Sequence, residues 1–128
     1  MAHLLERASA WLDDQRTRHA SRVVSYVRGS RTLDVSATIG RTMFEVDDGC
    51  GVLVQHESRD FLILAADFVL DDQPILPQRG DQVREAQGNT TFVYEVMAPG
   101  NGPCWRYSDA FRRTFRVHTK QIDTESTS

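Results

Sequence analysis

From about Ser21 onward, apolar side chains recur at every second position, and this period of two constrains the fold more than any other feature of the chain. Residues 32–39, Thr-Leu-Asp-Val-Ser-Ala-Thr-Ile, alternate without a break, as a strand with one buried and one wet face must. Residues 22–28 are rich in valine and tyrosine and run into the turn Gly29-Ser30. Residues 42–46 predict a further strand, ended by Asp47-Asp48-Gly49. Residues 52–57 and 60–66 predict a hairpin turning at Ser58-Arg59. The run Phe61-Leu62-Ile63-Leu64-Ala65-Ala66 has no polar alternation, so it is expected to be buried on both faces.

Residues 71–79 contain two prolines and no period, and predict an irregular connection. Pro77-x-x-Gly80-Asp81 then launches a strand over residues 82–85. Gly88-Asn89 turns the chain into residues 91–97, where Phe92, Tyr94 and Val96 share a face. Pro99-Gly100-Asn101-Gly102-Pro103 is a loop. The last predicted strand, residues 111–120, sets Phe111, Arg113, Phe115 and Val117 on one side. Arg112, Thr114, Arg116, His118 and Lys120 occupy the other, which is expected to face outward.

Residues 1–20 follow a different period. Leu4, Leu5, Ala8, Trp11 and Leu12 form one helical stripe, predicting an amphipathic helix of about 15 residues that must dock on something to be stable. The expected fold is therefore mainly β, a small antiparallel β-barrel or sandwich spanning residues 21–122 with one N-terminal α-helix. The polar residues 123–128 are expected to be a disordered tail.

The 128 residues are enough for one domain with a proper core. No apolar run approaches the roughly 20 residues of a membrane helix, and Glu6, Asp13 and Asp14 break any secretory pattern, so no membrane role is expected. Cys50 and Cys104 are too few for a disulfide framework and are expected to be reduced thiols. The net charge of −3 excludes a strongly cationic nucleic-acid binder, but it conceals a polarity. Residues 45–72 hold eight acidic side chains against Arg59 alone, whereas residues 105–120 hold five basic ones against Asp109 alone.

Candidates for catalysis are thin. His56, Glu57 and Asp60 are close in sequence, but adjacent strand residues point to opposite faces, and a solvated hairpin tip explains them as well. Cys104 and His118, oriented by Asp109, could make a thiolate–imidazole pair, though no spacing demands it. Phosphate-binding glycine signatures and H-E-x-x-H are lacking. The most specific local feature is the last strand, where Arg112, Arg116, His118 and Lys120 fill four of five outward positions near Trp105, Tyr107, Phe111 and Phe115. Such a surface suits either a protein partner or, alternatively, nucleic acid held by phosphate contacts and base stacking on a β-barrel.

An ordered set of blocks adds a family resemblance. Asp60-Phe61-Leu62-Ile63, Pro77-x-x-Gly80-Asp81, Tyr94-Glu95-Val96, Trp105-x-x-Ser108-Asp109 and Arg116-Val117-His118-Thr119-Lys120 together resemble tailed-phage and prophage head–tail joining, or head-completion, proteins. The resemblance covers roughly residues 50–122. It implies a virion structural protein, not an enzyme, assembled in the bacterial host cytoplasm without cofactor or metal. It further implies a homo-oligomeric ring at the neck, between portal or adaptor and tail proteins, through which genomic DNA may pass without specific binding. A ring needs two different complementary patches on each subunit. The expected interface sets Arg112, Arg116, His118 and Lys120 of one subunit against Asp47, Asp48, Asp71 and Asp72 of its neighbour.

Overall fold

The computed structural model describes residues 21–100 and 102–126, and the predicted helix over residues 1–20 lies outside them. The described chain is mainly β, with antiparallel pairing throughout: β1 (Ser21–Arg28), β2 (Arg31–Asp47), β3 (Leu53–Leu64), β4 (Val69–Leu70), β5 (Gln73–Pro74), β6 (Gln82–Gln87), β7 (Thr90–Val96), β8 (Trp105–Tyr107) and β9 (Thr114–Ser126). The large sheet runs β3-β2-β1-β6-β7-β9-β8, and β3 also pairs with β9. Six strands therefore close into one circuit, with β8 attached outside it. β4 and β5 form a separate two-stranded piece.

The alternation predicted for residues 32–39 places Val35 and Ala37 inside, together with Val24, Tyr26, Phe61, Ile63, Val83, Tyr94, Val96, Phe115 and Val117 from the other strands. Phe68, from the link after β3, joins this core edge-on to Tyr26 and Phe115, at centroid distances of 4.6 and 5.5 Å. The polar end of the core is closed differently. Glu85 is fully buried, with Oε2 2.5 Å from Arg22 and Oε1 2.7 Å from Arg59. The Arg59 guanidinium also lies over the Tyr94 ring, 5.1 Å from its centroid. Elsewhere Tyr26 donates to Asp81, which Arg28 also contacts at 2.9 Å. Burial first, and then that hydrogen bond, push the Tyr26 phenol well above its ordinary range.

Several boundaries differ from those expected, each for a local reason. Residues 32–39 and 42–46 are parts of one 17-residue strand, β2. No turn occurs at Ser58-Arg59: both lie inside β3, opposite Thr42 and Arg41, because neither can easily supply the positive φ of a tight turn. The chain reverses instead beyond Asp47, where Gly49 and Gly51 adopt φ of 88° and 82°. Of the run at residues 61–66, Phe61, Leu62 and Ile63 are buried. Leu64 and Ala65 are half-buried and Ala66 is exposed, because the strand ends at Leu64 and Ala65–Asp67 form a 3-10 turn. The last strand begins at Thr114 and not at residue 111, because the Asp109 carboxylate accepts from the Arg113 and Thr114 amides and holds a turn there. Nor are residues 123–126 a disordered tail: they continue β9, pairing with residues 90–93 of β7 after an irregularity at Val93/Tyr94. Backbone pairing needs no apolar side chains, so polar composition alone misled there.

Candidate interface surfaces

The residues expected to form one basic face do not share one environment. Arg112 is exposed, in a left-handed conformation with φ of 57°, and its guanidinium lies 5.8 Å from the Tyr107 ring centroid. Lys120 is exposed and lines a cleft of about 410 Å³ with Phe44, Val46, His56 and Met97. Arg116 and His118 instead turn onto Asp60. Arg116 Nη1 donates to Asp60 Oδ2 at 2.8 Å, and His118 Nδ1 lies 2.9 Å from Oδ1. His118 is only 3% exposed, which corrects the expectation that it faces outward; Thr114 is buried too. Half of the predicted cationic face is thus committed inside the molecule.

Asp60 is the centre of that commitment. It is fully buried and also accepts from Thr42 Oγ1 at 2.5 Å and Ser58 Oγ at 2.7 Å. Burial alone would raise its pKa, but the hydrogen bonds from His118, Thr42, Ser58 and Arg116 outweigh it and hold the carboxyl down to about 2. A carboxylate oxygen only accepts, so this geometry suits the tautomer of His118 that carries its hydrogen on Nδ1. Gly40, opposite Asp60 in β2, gives Arg116 its passage: a Cβ there would come within 3.1 Å of both Arg116 Nη1 and Leu62 Cδ1. Gly40→Val should displace that guanidinium and destabilise the fold by about 1–3 kcal/mol, measured by urea denaturation.

The acidic segment divides in the same way. Asp47 and Asp48 sit at the far end of the β2–β3 hairpin, where their carboxylates accept from the Gly49 and Cys50 amides at 2.9 and 2.8 Å. Asp71 and Asp72 form the β4–β5 turn with φ of 52° and 64°, and Asp71 pairs with Arg31 at 2.8 Å. Arg31 opens β2 and Asp47 closes it, so the two acidic pairs are separated by roughly 50 Å of strand. They are two surfaces and not one. The continuity in sequence had hidden this.

The catalytic candidates do not converge. Cys104 packs in the core, where burial raises its thiol pKa, whereas His118 faces the opposite side of β9 from the core residues Phe115 and Val117. Asp109 caps a turn. His56 is exposed and stacks on Phe44 at 5.8 Å, while Asp60 is buried beneath its own partners. Among the described residues, no group of three or more His, Cys, Asp or Glu side chains could hold a metal ion. No described helix is long and apolar enough to cross a membrane. Sequence reading missed the Asp60 cluster because its members come from β2, β3 and β9; the spacing Ser58-x-Asp60 on one strand face was the only local signal.

The geometry is that of a small antiparallel β module whose buried charges brace it from within. The family model for phage head-tail joining proteins matches residues 2–126, and the chain belongs to that family. The match takes in residues 2–49, beyond the blocks that first suggested it. No curated protein matches the chain.

Proposed function

We propose that this chain is a non-enzymatic structural subunit of a phage particle, assembling with copies of itself into a ring at the neck between portal and tail. The closed circuit of six strands is read as a small barrel, stiff enough to hold its place in such a ring. Its partners are the portal or adaptor on one side and tail proteins on the other, and genomic DNA passes through the ring without specific binding. It is a virion component assembled in the host cytoplasm, and it uses no cofactor.

The observation that carries this reading, beside the family membership, is the residual charge polarity. After the internal pairs are formed, Asp47 and Asp48 remain exposed at the end of the β2–β3 hairpin, and Arg112 remains exposed beside β8. A head-to-tail ring needs two such unlike surfaces. Arg116 and His118 support it only indirectly, through Asp60, while Asp71, Asp72 and Lys120 offer further contacts to neighbouring components. Exposed ion pairs contribute about 0–1 kcal/mol each, so they set register more than affinity.

Arg112→Glu is therefore expected to weaken assembly at low salt, and Asp47→Arg with Asp48→Arg in the same chain to restore part of it. Sedimentation velocity and electron microscopy, with and without the portal from the same genome, provide the test. Assembly that ignores both changes would remove the charge pairing.

A further inference from the structure

Among the described residues, the outer half of the β2–β3 hairpin is a ribbon of two strands only. β1 pairs with β2 only as far as Thr38, and β9 pairs with β3 only as far as Arg59. Beyond those points neither strand has a second neighbour among the described residues. Beyond them β2 runs nine residues, 39–47, and β3 six, 53–58, so the arm is roughly 20–30 Å long. A two-stranded ribbon alone is marginal in water. Yet Met43, Val52 and Leu53 are 55%, 55% and 64% exposed.

Met43 shares its strand face with Ala37, and Leu53 shares its face with Ile63, both fully buried. Past the core, that face carries Met43 opposite Glu57 and Leu53 opposite Asp47, with Glu45 and Gln55 between the two pairs. Glu45, Asp47, Asp48 and Glu57 thus set the two apolar side chains among negative charge, against Arg41.

A matching surface exists elsewhere. β8 is the last strand of the sheet order, with no second partner strand among the described residues. With the turn that follows, it presents Tyr107 and Phe111, each 36% exposed, between the exposed Arg106 and Arg112. One surface sets two exposed apolar side chains among acidic groups, and the other sets two aromatic rings between basic ones. β8 lies level with residues 115–117 of β9, which in turn face residues 61–63 of β3. The arm reaches back to Leu53, roughly 25 Å along β3 from that level. The two surfaces are therefore placed to meet between copies.

We propose that the arm of one copy docks on the β8 surface of the next. This rests on the ring reading above and adds the element that reaches and the surface that receives it. Met43 and Leu53 pack against Tyr107 and Phe111, excluding water at the centre of the contact, and the charges around them fix its register.

The chain carries its own probe, because Cys50 is an exposed free thiol at the end of the arm while Cys104 is buried. In an Ala110→Cys variant, mild oxidation of the assembled protein with its portal should give a ladder of dimers, trimers and higher species on a non-reducing gel. Adding Cys50→Ser should abolish the ladder. Met43→Ser with Leu53→Ser should leave the melting temperature nearly unchanged, since both side chains are solvent-exposed, while lowering the yield of rings at least tenfold. Rings without a ladder, or undiminished rings in the serine variant, would overturn arm docking and leave ring assembly intact. Absence of rings from the wild-type chain with portal would overturn both.

Discussion

Asp60→Ala should destabilise the protein by about 3–5 kcal/mol, because it strands two buried or half-buried donors that pair with no other carboxylate among the described residues. For a domain of this size that corresponds to a fall in melting temperature on the order of 10–20 °C. The carboxylate is fully buried and receives Arg116, His118, Thr42 and Ser58. Asp60→Asn should lose less, since an amide oxygen can keep some of those donors. The same group gives the fold a defined acid sensitivity. Its folded-state pKa is about 2, below the ordinary 3.8. Its stabilisation is therefore complete above about pH 4 and is lost as pH falls toward 2, amounting to about 2–3 kcal/mol. Urea denaturation of wild type and Asp60→Ala across that range checks this: the difference between them should shrink as pH drops. A difference constant with pH would show that Asp60 is not the titrating group.

The second large effect is expected at Glu85. Glu85→Leu should cost about 2–4 kcal/mol, the range for breaking a buried pair reduced because both arginines are partly exposed. Its side chain is 1% exposed, against 47% for Arg22 and 32% for Arg59. The prediction separates two causes. If the loss comes from stranding Arg59 against Tyr94 and Phe61, then combining Glu85→Leu with Arg59→Met should recover most of it, because matched apolar replacements of a buried pair are often neutral. If the double variant is as unstable as the single one, packing shape and not charge is what Glu85 supplies. Thermal and chemical denaturation of the three variants distinguishes these outcomes.

These two clusters explain why only part of the molecule was legible beforehand. Residues 32–39 were read correctly because their side chains alternate between one wet and one dry face, and that pattern is local. The run at residues 61–66 was read as buried on both faces because apolar side chains admit no wet face. That holds for Phe61, Leu62 and Ile63 and fails for Leu64, Ala65 and Ala66, where the strand ends. Ser58-Arg59 was misread as a turn because polar residues next to each other resemble one. Here Ser58 bonds Asp60 on one face, while Arg59 reaches Glu85 on the other. Residues 123–126 were misread because strand pairing with β7 is carried by backbone groups that composition does not report. Arg116 and His118 looked like an outward cationic row until Asp60, 56 and 58 residues away, drew them in.

The sequence by itself determined a β module of alternating strands, the positions of most of its core, and a membership in the head–tail joining family through ordered local blocks. The tertiary structure decided which charges remain for a partner. Pairing strands distant in sequence placed Asp60 under Arg116 and His118, Glu85 under Arg22 and Arg59, and the two acidic aspartate pairs at opposite ends of β2. A side chain's periodicity is fixed by its immediate neighbours, but whether its charge is spent depends on groups that only closure of the sheet brings within hydrogen-bonding reach.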